Sequence, residues 1–87
     1  MLHTVNKSPF SNGALESCLR FLAADDVILL LEDGVNAAVS GTTKADLIEQ
    51  ALANHEVYAI AADCKARSLN KLIDGVKLVD YDQFVAL

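Results

Sequence analysis

The amino-acid sequence predicts a single α/β domain over residues 1–87, with three layers in which helices cover both faces of a small, mostly parallel sheet. Two observations predict this class. Strand-like and helix-like segments alternate along the whole chain, which is the pattern of a layered α/β fold. The run Val27–Leu31 is apolar at all five positions, as is typical of a central parallel strand that exposes neither face to water.

The composition predicts association with other subunits. The chain has 87 residues and is 53% hydrophobic, although a domain of this size has proportionally little interior. We therefore expect part of the apolar surface to lie in an obligate interface. The formal net charge is −5 and the lysines and arginines are scattered, so we expect no direct contact with nucleic acid.

The chain is predicted to be cytoplasmic, with free thiols. It contains two cysteines and no disulfide framework, and its first residues lead straight into a strand without the layout of a signal peptide. A membrane span needs about 20 apolar residues, and the run Val27–Leu31 is far shorter. We therefore expect no membrane partner.

The first strand is predicted over Leu2–Val5, followed by a loop whose Phe10 packs on the domain or on a neighbour. Ser11 or Asn12 is predicted to cap a helix that runs to about Ala24. The apolar residues of this helix recur at helical spacing and form the face that packs on the sheet. They are Leu15, Cys18, Leu19 and Leu22.

The central strand ends at Glu32–Gly34, whose glycine is free to adopt a positive φ. This places two carboxylates at the carboxyl edge of the sheet, where open α/β sheets bind ligands and partners. A short helical segment is predicted over Val35–Val39. Thr43 and Asp46 have the spacing of a capping box for a second full helix over Ala45–Asn54.

The last third of the chain repeats the alternation. Asp63 is predicted to cap a helix that runs to Ser68. Asp80 and Gln83 have the spacing of a second capping box, at the start of the final helix. The remaining elements are predicted over Glu56–Ile60 (strand), Val76–Val79 (strand) and Tyr81 to about Ala86 (helix).

The search for chemical motifs predicts no enzyme active site, no cofactor-binding residue and no metal ligand. The histidines and cysteines lack metal-ligand spacing, and there is no phosphate-binding loop, nucleophile elbow or glycine-rich dinucleotide loop. His3 and His55 are interpreted as structural or solvated. Acidic edges can bind magnesium, but caps and turns account for Asp63 and Asp80. The acidic residues assigned to the carboxyl edge are Glu32, Asp33, Asp63, Asp80 and Asp82.

Cys18 is the one candidate for a reactive side chain, and the pattern leaves two interpretations open. The residue lies on the apolar face of its helix, and free cysteine commonly packs as a small hydrophobe. A reactive thiol instead needs a nearby positive charge, and Arg20 is the only cation close to it in sequence.

Several segments resemble the TusB/DsrH family of sulfur-relay subunits. They are Met1–Phe10, Leu15–Leu19, Leu29–Val35, Val57–Ile60, Asp63, Ala66-Arg67, Val79–Tyr81 and Phe84-Val85. The resemblance implies a DsrEFH-like fold and no cofactor. It also implies a heterohexamer with TusC/DsrF-like and TusD/DsrE-like sister subunits, which passes persulfide sulfur to a TusE/DsrC-like acceptor. The sulfur serves either 2-thiouridine formation at the tRNA wobble base or dissimilatory sulfur oxidation.

The resemblance also bears on the thiols. The TusD-like sister carries its acceptor cysteine at the end of the third strand, where this chain has Ile60, so the resemblance implies a non-catalytic subunit. That role is not transferred to Cys64, one helical turn further on. Sulfur-oxidising members keep a cysteine in the first helix, which makes Cys18 a possible relay thiol. The chain departs from the family at Ser68, where glycine is usual, and at Leu87, where an aromatic-ended tail is expected.

Three functions therefore remain open from the sequence. The first is the non-catalytic subunit of a sulfur-relay complex. The second is a self-associating α/β module that binds a small ligand at Glu32–Gly34. The third is an independent sulfurtransferase that acts through Cys18.

Overall fold

A computed structural model describes residues 1–11 and 13–86 of the chain. Within these residues, four strands form one parallel sheet in which each strand lies beside the strand that precedes it in sequence. The strands are β1 (Leu2–Val5), β2 (Val27–Leu30), β3 (Val57–Ile60) and β4 (Lys77–Val79). The predicted α/β class with a parallel sheet is confirmed.

Short helices occupy the connections between the strands. They are α1 (Ala14–Arg20), a 3₁₀ helix (Glu32–Ala38), α2 (Ala45–Leu52), α3 (Ala61–Ala66) and, after β4, α4 (Tyr81–Ala86). The 3₁₀ helix corresponds to the helical segment predicted over Val35–Val39, but it begins as soon as the chain leaves β2. α1 and α2 end earlier than predicted because local turns follow them, α3 begins and ends two to three residues earlier than predicted, and α4 has the predicted bounds.

The predicted central strand is buried on both of its faces. β2 pairs with β1 on one side and with β3 on the other, and the side chains of Ile28, Leu29 and Leu30 have no exposed surface. Burying an aliphatic side chain of this size contributes about 1.5–3 kcal/mol. This strand therefore supplies a large share of the hydrophobic stabilisation of so small a domain.

The two faces of the sheet support two separate apolar clusters, because side chains alternate along each strand. The larger cluster contains Ile28 and Leu30 of β2 together with residues from each of the three segments that connect the strands. Its members from those connections include Leu15, Val35, Ile48 and Cys64. The smaller cluster, on the opposite face, is built on Leu29, Ile60 and Val79.

The first helix begins later and ends earlier than predicted. Its N-cap is Gly13, with no side-chain cap, so Ser11 does not cap it; the alternative cap, Asn12, lies outside the described residues. The helix ends near Arg20 because a turn follows. In that turn the carboxylate of Asp26 accepts a hydrogen bond from the backbone N–H of Ala23 at 2.9 Å.

Two further predicted caps, at Thr43 and at Asp63, are also wrong. α2 has Lys44 at its N-cap position and no side-chain cap; the nearby hydroxyl of Thr42 accepts the Lys44 N–H instead, at 3.3 Å. α3 starts directly after β3, with Ile60 as its N-cap residue. Asp63 therefore falls inside the first turn of α3, and its carboxylate is directed to another element.

The capping box predicted for Asp80 and Gln83 is confirmed. The N–H of Asp80 donates to Oε1 of Gln83 at 2.9 Å, and the N–H of Gln83 donates to Oδ1 of Asp80 at 2.7 Å. This reciprocal pair satisfies two backbone donors at the start of α4, as a capping box does. It fixes the direction in which the chain leaves β4.

Gly34 is needed for a close approach rather than for a positive φ. A Cβ atom at this position would lie 1.9 Å from the carbonyl oxygen of Val5, because the 3₁₀ helix crosses directly over the end of β1. The left-handed conformation instead occurs at Glu32, whose φ is +50°. The prediction of a positive φ in the turn after β2 is therefore correct for the turn, but the residue that adopts it is Glu32 and not Gly34.

Ser68 adopts the left-handed conformation just after α3, with a φ of +55°. This conformation costs a residue with a side chain roughly 1–2 kcal/mol, and the greater flexibility of unfolded glycine offsets about 0.5–1 kcal/mol of any gain. We expect Ser68→Gly to stabilise the domain by about 0.5–1 kcal/mol, seen as a rise of a few degrees in the melting temperature.

A matched control for this substitution is Ser17→Gly. Ser17 is exposed in the middle of α1, where glycine is unfavourable, so this variant is expected to lose about 0.5 kcal/mol. Equal effects of the two substitutions on the thermal unfolding curve would contradict the assignment of a strained backbone at position 68.

Candidate functional site

The acidic residues predicted to lie at the carboxyl edge are brought there by the parallel sheet. Glu32 and Asp33 follow β2, Asp63 follows β3, and Asp80 and Asp82 follow β4. Since the strands are parallel, all of these positions lie at one edge. The structure therefore confirms the placement predicted for this group.

Arg67 is bound within this edge by Asp33 and Asp63. Its Nε and Nη2 atoms donate to Oδ1 of Asp33 at 3.1 and 2.9 Å, and its Nη1 atom donates to the carbonyl oxygen of Asp63 at 3.2 Å. The ion pair is partly exposed, so water screens it and it contributes no more than about 1 kcal/mol. Its main consequence is structural, because it links the end of α3 to the 3₁₀ helix. The guanidinium of Arg67 is thereby already paired within the chain.

Asp63 connects the same edge to α4. Its Oδ2 atom accepts the backbone N–H of Glu32 at 2.8 Å, and the hydroxyl of Tyr81 donates to the same oxygen at 3.3 Å. Burial and the negative charge of Asp63 raise the pKa of Tyr81, so the phenol keeps the proton that it donates. The other oxygen, Oδ1, lies 3.5 Å from the same hydroxyl, so both oxygens of this carboxylate face groups of the chain itself.

Neither cysteine has the environment of an activated nucleophile. Burial raises the pKa of the Cys18 thiol, and the negative charge of Asp26 adds to the effect. Burial likewise raises the pKa of the Cys64 thiol, which is 3% exposed; Asp63 reinforces the shift, and the opposing effect of Arg67 does not cancel it. A raised pKa lowers the fraction of thiolate, which is the reactive form.

Ile60 lies where the resemblance places the acceptor cysteine of the sister subunit. It is the last residue of β3, the N-cap residue of α3, and fully buried in the smaller cluster. An aliphatic side chain cannot accept or carry sulfur, so this position has no nucleophile.

The two histidines contact one residue, Asp26, at the opposite edge of the sheet. His3 donates from Nε2 to Oδ2 of Asp26 at 2.6 Å, and His55 donates from Nδ1 to the carbonyl oxygen of Asp26 at 2.8 Å. Both histidines therefore hold the turn before β2, as the structural interpretation of these residues predicted.

Asp26 is a structural residue that sequence reasoning treated only as part of a turn. The amino group of Met1, the N–H of Ala23 and the ring of His3 hold the pKa of this carboxylate well below its usual range. A lowered pKa means that the contribution of Asp26 to stability is present above the ordinary pKa of aspartate and is lost as the pH falls toward the lowered value. The sequence carries no local signal for this contact, because it is the parallel pairing of β1 with β2 in the folded sheet that brings position 3 close to the start of β2.

Within residues 1–11 and 13–86, no group of three or more histidine, cysteine or acidic side chains is arranged to hold a metal ion. No helix in that part of the chain is long and apolar enough to cross a membrane. An open groove of about 370 Å³ lies elsewhere on the surface, lined by residues such as Ser40, Leu52 and Ile73. This groove does not involve the turn at Glu32–Gly34.

Comparison with known structures identifies the fold. The solution NMR structure of protein Tm0979 from Thermotoga maritima is 25% identical, with a TM-score of 0.66 over 98% of this chain and 86% of that protein. MTH1491 from Methanobacterium thermoautotrophicum, described as a protein of unknown function, is 17% identical, with a TM-score of 0.72 and the same coverage. The second likeness, at low identity, bears on the fold alone.

Sequence comparison identifies the family. The family described as "DsrH like protein" matches residues 7–87. "Protein TusB" of Pectobacterium parmentieri is 38% identical over 89 aligned positions, and that of Escherichia coli strain K12 is 39% identical over 88. Each alignment covers 100% of this chain and 90% of the relative. The chain therefore belongs to the DsrH-like family that includes TusB, as the resemblance of its motifs indicated.

Proposed function

We propose that this chain is a non-catalytic subunit of a persulfide-relay complex. The complex is a heterohexamer with two copies each of a TusB/DsrH-like, a TusC/DsrF-like and a TusD/DsrE-like chain. It receives persulfide sulfur and passes it to a TusE/DsrC-like protein, for tRNA 2-thiolation or for dissimilatory sulfur oxidation. We further propose that residues 1–87 act as one domain and that the complex works in the cytoplasm.

The observation that carries this proposal is the buried Ile60 at the end of β3. The family resemblance gives this position to the acceptor cysteine in the sister subunit, and here it holds an aliphatic side chain. The raised pKa values of Cys18 and Cys64 support the same conclusion, because neither thiol is prepared to replace the missing nucleophile.

The exposed apolar side chains support an assembled rather than a free subunit. Phe21 is 76% exposed, Phe10 is 52% exposed and Leu78 is 51% exposed. Phe10 was predicted to pack on the domain or on a neighbour, and its half-exposed ring leaves surface that a neighbour can cover. Exposed aromatic and aliphatic groups of this kind are common at protein–protein interfaces.

The contacts at the carboxyl edge favour the relay subunit over a small-ligand module centred on Glu32–Gly34. Asp33 is engaged by Arg67, and Asp63 is engaged by the Glu32 N–H and by Tyr81. A ligand would therefore compete with Arg67 for Asp33, and with Tyr81 and the Glu32 N–H for Asp63.

The test of assembly begins with the isolated chain. We expect it to self-associate or aggregate in sedimentation velocity, because its apolar surface lacks its partners. Co-expression with the two sister subunits of the same organism should increase the soluble yield and give a 2:2:2 complex by native mass spectrometry. A monodisperse monomer at high concentration that does not co-purify with either sister subunit would contradict the proposal.

A second test separates the scaffold role from a relay role of the thiols. We expect Cys18→Ser combined with Cys64→Ser to leave sulfur transfer by the complex within about twofold of wild type, since serine keeps the size of the side chain and removes the thiolate. A buried hydroxyl without a partner costs about 1–3 kcal/mol, so the subunit composition of each variant complex is confirmed first. Transfer is then followed with a labelled persulfide donor.

The control is the serine variant of the acceptor cysteine on the TusD/DsrE-like subunit, which should abolish transfer in the same assay. Loss of transfer in a fully assembled complex that carries Cys18→Ser alone would make Cys18 a relay thiol. Transfer by the isolated chain through Cys18 would instead identify an independent sulfurtransferase.

A further inference from the structure

We draw no further inference here: the strongest candidate, the partly apolar groove between α1 and α2 lined by Leu19, Leu22 and Leu47, is an unpartnered surface and nothing in the structure shows what covers it.

Discussion

Replacing Leu30 by aspartate is expected to abolish folding. The side chain of Leu30 is fully buried in the strand that pairs on both sides, and it belongs to the larger apolar cluster. A buried carboxylate without a partner costs several kcal/mol, and the loss of the leucine adds about 2–5 kcal/mol. Together these approach or exceed the 5–15 kcal/mol of total stability typical of a whole domain. Far-ultraviolet circular dichroism and thermal melting of the purified variant measure the effect.

The matched control is Leu78→Asp in β4. It makes the same chemical change in a strand of the same sheet, but Leu78 is 51% exposed, so the new carboxylate stays in water and the cost should remain below about 1 kcal/mol. A Leu30→Asp protein with native circular dichroism and an unchanged melting temperature would show that β2 is not the buried centre of the sheet.

Gly34→Ala is expected to cost several kcal/mol, although it adds only one carbon atom. The new Cβ would lie 1.9 Å from the carbonyl oxygen of Val5 and 2.7 Å from its carbonyl carbon. Both are backbone atoms of β1, so no flexible side chain can move aside. That carbonyl oxygen also accepts the N–H of Leu31 at 3.1 Å, a bond that separation of the two segments would break. We expect a loss of roughly 4 kcal/mol or more, at the extreme of single substitutions, measured by urea denaturation.

Gly13→Ala provides the comparison for this substitution. A Cβ at position 13 would meet nothing within 4 Å, so the change should stay within about 1 kcal/mol, the scale of a lost N-cap preference. If the two variants had the same denaturation midpoint, the close crossing of the 3₁₀ helix over β1 would be wrong.

The sequence was most informative where the determining groups are neighbours along the chain. The apolar run of β2 contains its own evidence for burial on both sides, and the capping box of Asp80 and Gln83 joins residues three positions apart. Both features are decided within one element, so the residues alone predict them. The alternation of elements then led to the parallel sheet.

The candidate site was harder to predict because its contacts join distant parts of the chain. Asp63 has the residue type of a helix cap, but its carboxylate accepts a donor 31 positions away. The pair between Arg67 and Asp33 spans 34 positions, and that between His3 and Asp26 spans 23. In each case the residue type indicates a polar partner, whereas only the folded sheet determines which partner it is.

The order of the strands in the sheet bears on how the domain assembles during synthesis. Because each strand pairs with the one made just before it, the sheet can extend one strand at a time from β1 toward β4 as the chain emerges. Of the four strands in the described residues, none has to insert later between two that have already paired, as happens in sheets whose order reverses at a switch point. Each pairing closes one loop of moderate length, which limits the entropy lost at each step. The edge strand left by each completed pairing is therefore the one that the next strand joins in the finished sheet.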